Sequence, residues 1–399
     1  MPELLAPAGN LNKLYTAFHF GADAVYLGGN QFSLRAFADN FSIADIRTGT
    51  EFAHSIGKKV YVAVNVYPRT DDFGAIREYF SELKKIGVDG LIVGDMGVLT
   101  AAKDAANGIP IHLSTQANTT NAEAVKFYRV LGVKRGVLAR DLTRDEIKEI
   151  RDGVDGIEIE CFVHGAMCMS YSGRCILSNY LTGRDSNRGE CAQPCRYEYR
   201  IREVSDDREL TLCEDKKGTY LLNSKDLCMI GHIGELESAG VGSFKIEGRM
   251  KSEFYVGSVV NAYRRALDDL SSGKNTPPET YFKEIEKTGN RGFTTGFYFG
   301  GKDYMNLESS KNRSEYIFAA CVLGYDEGRG ALIVEQRNRF IKGDRLQVLS
   351  NGENFLREIE VAEMSDLRGA IVTDAKRVQE VLYLKTDLRL EAQDILYKN

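Results

Sequence analysis

Cys168, Cys175, Cys191 and Cys195 follow the spacing C-x6-C-x15-C-x3-C, and Cys228 lies further on in NSKDLCMI. Five of the eight cysteines fall within the thirty-five residues from Cys161 to Cys195, so one segment carries most of the thiol chemistry of the chain. Three kinds of chemistry use thiols gathered in this way. Structural zinc sites carry ligand pairs two to four residues apart on two knuckles, a form that only Cys191 and Cys195 have. An iron-sulfur cluster takes four thiolates, and its negative charge suits the nearby Arg174, Arg184 and Arg188. A cysteine nucleophile would pair Cys168 with His164, four residues before it, but one nucleophile leaves the other thiols without a role. Spacing therefore ranks cluster first, zinc second and nucleophile third. Cys161 sits inside an apolar run, Cys213 amid EDKKG and Cys321 near the C-terminus, where a buried small hydrophobe or an incidental thiol is an adequate account.

The segments around these cysteines show what must position them. Short β-branched runs alternate with amphipathic segments over the first 270 or so residues, the pattern of a parallel sheet wrapped by helices. Strands are expected at 3–6, 23–27, 59–65, 90–94, 110–114, 136–139, 157–163 and 243–247. Between them NLNKLYTAFHFG, FGAIREYFSELKKIG, NAEAVKFYRVLG and TRDEIKEIRDG read as helices, each closing on a glycine suited to a left-handed cap. Eight such units make a (β/α)8 barrel. The last two strands are about eighty residues apart, where median connections run about 4 to 6, so the cysteines open a long insertion, 164–240.

Barrels of this kind carry their chemistry at the C-terminal ends of the strands. The residues there are Gly28, Gly29, Asn65, Asp95, Gln116, Asn118, Arg140, Asp141, His164, Cys168, Glu247 and Arg249. After the polar linker SSGKNTPPET, short strands with closely spaced turns read as a small antiparallel β-barrel. The expected domains are thus a catalytic barrel over 1–272, a linker over 273–313 and a C-terminal β-barrel over 314–399. That last unit is expected to serve in packing, dimerisation or a grip on nucleic acid.

The formal net charge of -5 gives no global pull toward nucleic acid, though Arg184, Arg188, Arg196, Arg200 and Arg202 make a local basic run that could engage phosphates. MPELLAPAGN has neither a basic stretch nor an apolar one, and no run of about 18 apolar residues occurs anywhere. A cytoplasmic protein without a membrane anchor is the expectation, and in that compartment disulfides rarely persist. There is no G-x-S-x-G and no H-E-x-x-H, and the five histidines are His19, His54, His112, His164 and His232, which leaves little for a peptidase to use.

Glu160, Phe162, Gly165, Ala166, Cys168, Gly173, Cys175 and Ser178, in ECFVHGAMCMSYSGRCILS, resemble the signature of the peptidase U32, or collagenase-like, family. PELLAPAGN, AVYLGGNQFSLRAFADNF, RGECAQPCR, LLNSKDLC, FKIEGRMKS and NRGFTTGF resemble further blocks of that family, and the C-terminal unit resembles its C-terminal domain. Despite the family label, the resemblance implies RNA hydroxylation. Members of similar length and layout form 5-hydroxyuridine at the tRNA wobble position without molecular oxygen, using a [4Fe-4S] cluster and prephenate as the source of the hydroxyl. Relatives hydroxylate a ribosomal RNA cytidine or act in quinone hydroxylation. A U32-type peptidase and a noncatalytic RNA-binding scaffold are the competing readings.

The resemblance implies Cys168, Cys175, Cys191 and Cys228 as cluster ligands, with Cys195 competing for the fourth place. The two carboxylates of prephenate call for guanidinium groups, for which Arg35, Arg140, Arg174 and Arg249 are candidates beside Lys245. Glu247 and His164 are the candidates for moving protons, His164 because an ordinary imidazole titrates near neutrality. The implied partners are tRNA, prephenate and either a paralogous subunit or a second copy.

Overall fold

The computed structural model describes residues 1–33, 40–168, 175, 177–196, 214–215, 218–219, 224–301 and 314–399. Its first part is a closed barrel. The strands β1 (Glu3–Pro7), β2 (Ala24–Gly28), β3 (Lys59–Val64), β4 (Gly90–Val93), β5 (Ile111–Leu113), β6 (Arg135–Val137) and β7 (Glu158–Ala166) pair in parallel in chain order. The strand β8 (Asp226–Cys228) belongs to the insertion, and β9 (Ser243–Ile246) closes the ring by pairing in parallel with both β7 and β1. Eight strands and their order are as expected, with boundaries within about three residues.

Local chemistry sets the helices. Asn10 caps α1 (Leu11–His19) by accepting from Lys13 N at 3.0 Å. Ser42 and Asp45 form a reciprocal capping box at α2 (Ile43–Ser55), as Thr143 and Glu146 do where 144–152 begins. Gly21, Gly87 and Gly132 take the left-handed backbone expected after their helices. Gly153 does not, because the chain leaves that helix through right-handed backbone, with φ of −82°, and turns at Gly156 instead.

The insertion returns to the barrel rim as β8, antiparallel to the end of β7 and parallel to β10 (Phe293–Thr294). A nineteen-residue helix, Glu253–Ser271, then packs on α1 and β1 and buries Tyr263 completely. On its other side it meets the C-terminal unit, where Phe254 stacks with Phe318 and Asn261 Nδ2 donates to Ser350 O. That unit is an eight-stranded antiparallel sheet, curled half-way into a barrel, with its own core of Leu332, Val334, Leu346, Val348, Leu382 and Leu384. No helix among the described residues is long and apolar enough to cross a membrane.

Inside the barrel Leu5, Ala24, Tyr26, Tyr61, Ala63 and Ile92 form a small apolar cluster, and charged groups lie beside it. Arg135 Nη1 donates to Glu3 at 2.6 Å and to Glu160 at 3.1 Å, its Nε donates to Glu158 at 2.7 Å, and Lys245 Nζ reaches Glu160 at 2.7 Å. Burial alone would raise the Glu160 carboxyl, but Lys245 and Arg135 outweigh it and hold it below its ordinary value of 4.5. Its folded pKa is therefore depressed, so this contribution to stability is fully present above about pH 4.5 and is lost as pH falls through the folded-state value.

Replacing Glu160 by Ala takes from buried Lys245 its carboxylate and leaves Arg135 with Glu3 and Glu158. The expected loss is about 3–5 kcal/mol in urea unfolding. Glu160→Ala combined with Lys245→Met should recover part of it, because the lysine charge that lacks a partner is then gone.

Candidate active site at the barrel mouth

A cavity of about 240 Å³ opens above the ionic core, at the C-terminal ends of the strands. Its floor is Tyr26, Ala63, Ile92, Val137 and Phe162, the inward residues of five strands. The alternation in β2 that turns Ala24, Tyr26 and Gly28 inward is the sequence signal that would have singled out Tyr26, which was not among the candidates. Ser114 and Lys251 were missed as well. Lys251 belongs to FKIEGRMKS, which alone supplies Lys245, Glu247, Gly248, Arg249, Met250 and Lys251 to the wall.

The cationic candidates converge. Arg140 lies 3.9 Å over the Phe162 ring, donates to Ala166 O at 2.9 Å and stands 3.7 Å from Glu247 Oε2. Its Nε is buried and has no hydrogen-bond partner among the described residues, so one guanidinium donor remains for a ligand. Lys245 sits over the Tyr26 ring at 4.5 Å while held by Glu160. Arg249 Nη1 donates to Ser33 Oγ at 2.8 Å and passes against Gly28, where any Cβ would collide with both groups. Glu247 accepts from Tyr26 Oη at 3.3 Å, so this carboxylate is placed on the wall and oriented by two neighbours. Arg35 and Arg174 lie outside the described residues.

His164 does not join them. Between Phe162 and His164 the register of β7 against β9 slips, Lys245 pairing with Phe162 but Ile246 with His164, and this bulge turns His164 outward. Its ring lies against Tyr255, Tyr263 and Phe293, and burial pushes its pKa down to about 3. The expectation that it exchanges protons near neutrality is corrected accordingly: the imidazole is neutral, buried and behind the cavity wall. No histidine lines the cavity among the described residues, which removes the Cys168 and His164 dyad. Gly165, next along, has φ of +107° and lets the carbonyl of Glu247 pass where a side chain would block it.

Cys168, Cys175, Cys191 and Cys195 all line the cavity, and no disulfide joins the described cysteines. Ser186 Oγ donates to the Cys175 carbonyl, and Gln193 N donates to Cys191 Sγ at 3.3 Å, so the loop is anchored from within. The fourth expected ligand is elsewhere. Cys228 is buried in β8 opposite His164, shares a hydrogen bond with Tyr263, and burial pushes its thiol up to about 11. The cavity wall therefore presents Cys195 and not Cys228. Among the described residues no three metal-ligating side chains stand in a ready coordination sphere. Four thiols outside any disulfide, beside Arg140, Lys245 and Arg249, nonetheless match the donor chemistry and charge that an anionic cluster requires.

The basic run is partly spent on the fold. Arg188 pairs with Asp72 at 3.1 Å and Arg184 Nε donates to Glu190 O at 3.0 Å. The side chain of Arg196, and Arg200 and Arg202 altogether, lie outside the described residues, as does Cys213.

The family model described as Peptidase family U32 matches residues 9–308, and that of the Peptidase family U32 C-terminal domain matches residues 314–396. The tRNA hydroxylation protein P1 of Bacillus subtilis is 38% identical over an alignment covering 100% of this chain and 94% of that protein. The 23S rRNA 5-hydroxycytidine C2501 synthase of Escherichia coli is 39% identical over 75% of this chain and 45% of its own length. A collagenase of Porphyromonas gingivalis is 35% identical over 75% of this chain and 73% of that protein.

Gly28→Ala should displace the Arg249 guanidinium and lower turnover about 100-fold, as small misplacements at a reacting site do. Cooperative thermal unfolding should persist, and full activity in this variant would show that Arg249 is not needed in the cavity.

Proposed function

The chain belongs to peptidase family U32, and from that membership we propose that it hydroxylates RNA, forming 5-hydroxyuridine at the wobble position of tRNA with prephenate and a [4Fe-4S] cluster. The observation that carries this reading is the end-to-end match to a tRNA hydroxylation protein, which takes in the C-terminal unit, whereas the collagenase match covers three quarters of the chain. The cavity is consistent with it. Arg140 and Arg249 offer guanidinium donors to the carboxylates of prephenate, and Lys245 adds positive charge at the floor. Glu247, fixed between Arg140 and Tyr26, is the group on the wall suited to taking up a proton from the reacting ring.

Cys168, Cys175 and Cys191 would hold the cluster, with the fourth thiolate from Cys228, as the resemblance implies, or from Cys195, which shares their wall. When bound, such a cluster supplies one-electron redox capacity or a Lewis-acidic iron. The protein's own contribution is to bind the dicarboxylate, to keep the floor apolar around Tyr26 and Phe162, and to shield the reacting groups from water.

Nucleosides from a deletion strain should lack 5-hydroxyuridine and its alkylated descendants; unchanged levels in a strain without a paralogue would sink the proposal. Anaerobically purified protein should be brown and contain iron and sulfide, and a colourless protein with stoichiometric zinc overturns the cluster. Replacing Cys168, Cys175 or Cys191 by Ala should abolish iron loading, and comparing Cys195→Ala with Cys228→Ala assigns the fourth ligand to the variant that loses iron. Arg140→Ala should raise KM for prephenate roughly 10- to 100-fold, the loss of a charge-assisted hydrogen bond, at unchanged iron content. Cleavage of a fluorogenic collagen peptide by the reconstituted protein would favour the peptidase reading.

A further inference from the structure

The cavity has two unlike arcs. Arg140, Lys245, Glu247 and Arg249 and the thiols come from β6, β7, β9 and the segments after them. On either side of β4, which stands opposite β9 in the ring, the ends of β3 and β5 contribute a neutral group, Asn65, Ser114 and Gln116, with β5 next to β6. Asn65 and Ser114 are buried, and Gln116 lies in the 3-10 turn Thr115–Ala117 that left-handed Asn118 terminates. Asn65 Nδ2 donates to Gln116 Oε1 at 3.2 Å, and Ser114 Oγ donates to the same oxygen. Tyr67 Oη donates to the Gln116 carbonyl at 2.8 Å, so both the turn and the side-chain amide are tied down.

That arrangement gives Gln116 a direction. Its side-chain oxygen already receives two donors, which orients the amide and leaves its NH2 as the polar edge on the other side. We propose that the Asn65, Ser114 and Gln116 group reads the Watson–Crick edge of the pyrimidine that enters this cavity, with the Gln116 amide donating to O4 of uracil.

The proposal rests on the hydroxylation reading and names the residues that choose the base. A base can enter so small a cavity only when drawn out of its stack, and such bases are read by hydrogen bonds to that edge. Uracil offers the acceptor O4 beside the donor N3–H, whereas cytosine offers a donor at C4 beside an acceptor at N3. A fixed amide donor therefore favours uracil. The same docking turns the C5–C6 edge, which lies across the ring from N3, toward the arc that carries Glu247, the cations and the thiols.

The test uses cluster-loaded protein, prephenate and an anticodon stem-loop bearing uridine or cytidine at the wobble position. Gln116→Glu keeps the oxygen that Asn65 and Ser114 address but replaces the donor with an acceptor. kcat/KM for uridine should fall roughly 10- to 100-fold, while iron content, thermal unfolding and KM for prephenate stay unchanged. Gln116→Met, similar in shape and without polar atoms, should lose uridine preference in the same way. Wild-type kcat/KM and preference in both variants overturn the proposal. If the wild-type protein makes no 5-hydroxyuridine, the hydroxylation reading fails, and stem-loop binding judges the amide edge alone. A uridine preference present in the wild type and lost in Gln116→Glu supports it, and equal binding by both proteins overturns it.

Discussion

The Glu160 carboxylate, fully enclosed between Arg135 and Lys245, is the interaction on which the barrel and its cavity both depend. Through Arg135 it ties β6 and β7 to Glu3 on β1, and through Lys245 it ties β7 to β9, so the charges span the seam where the ring closes. A barrel interior is ordinarily filled by branched apolar side chains. Here Arg135, Lys245, Glu3, Glu158 and Glu160 form one network, with Tyr61 Oη donating to Glu3 at 2.7 Å. Such a network adds little net stability over an apolar core, because desolvation offsets the Coulomb attraction. What it does provide is a lysine held at a fixed place under the cavity, so the potential at the floor is built into the fold.

One extra residue in β7 separates structure from chemistry along the same strand. Glu160 and Phe162 face the barrel axis, and without the bulge His164 would continue that face and enter the cavity. The bulge instead sends the imidazole into an aromatic layer with Tyr255, Tyr263 and Phe293, where burial keeps it neutral. The space that it leaves at the rim is crossed by Gly165 and the Glu247 carbonyl. The carboxylate that the cavity wall does present, Glu247, is held by Arg140 and Tyr26.

The barrel was legible because its evidence is local and repeated: apolar runs of strand length, helices closing on glycines such as Gly21 and Gly87, and a single connection too long to be a loop. The convergence of Arg140, Lys245, Glu247 and Arg249 was legible too, since strand ends in a barrel share one face. Two features were not. The outward turn of His164 depends on how many residues β9 sets against β7, a pairing between segments about eighty residues apart that no local pattern records. The burial of Cys228 depends on β8 joining β7 in the antiparallel sense, again a long-range event. For His164, distance along the chain from a strand end was a poor guide, because the face of the strand decides.

The opposed arcs of the cavity follow from this architecture. In a ring of eight strands, β4 lies across from β9, so residues after β3 and β5 must look over the floor at whatever follows β9. The ionic core leaves positive charge under the β9 side, through Lys245, and the segment after it adds Arg249 and Lys251. A carboxylate ligand is drawn to that side, and the far arc is left for a neutral partner that hydrogen-bonds without carrying charge. Asn65, Ser114 and Gln116 have that chemistry, and their mutual hydrogen bonds fix it before any ligand arrives. Two ligands of different charge can thus be seated face to face by a barrel whose asymmetry originates in one buried glutamate.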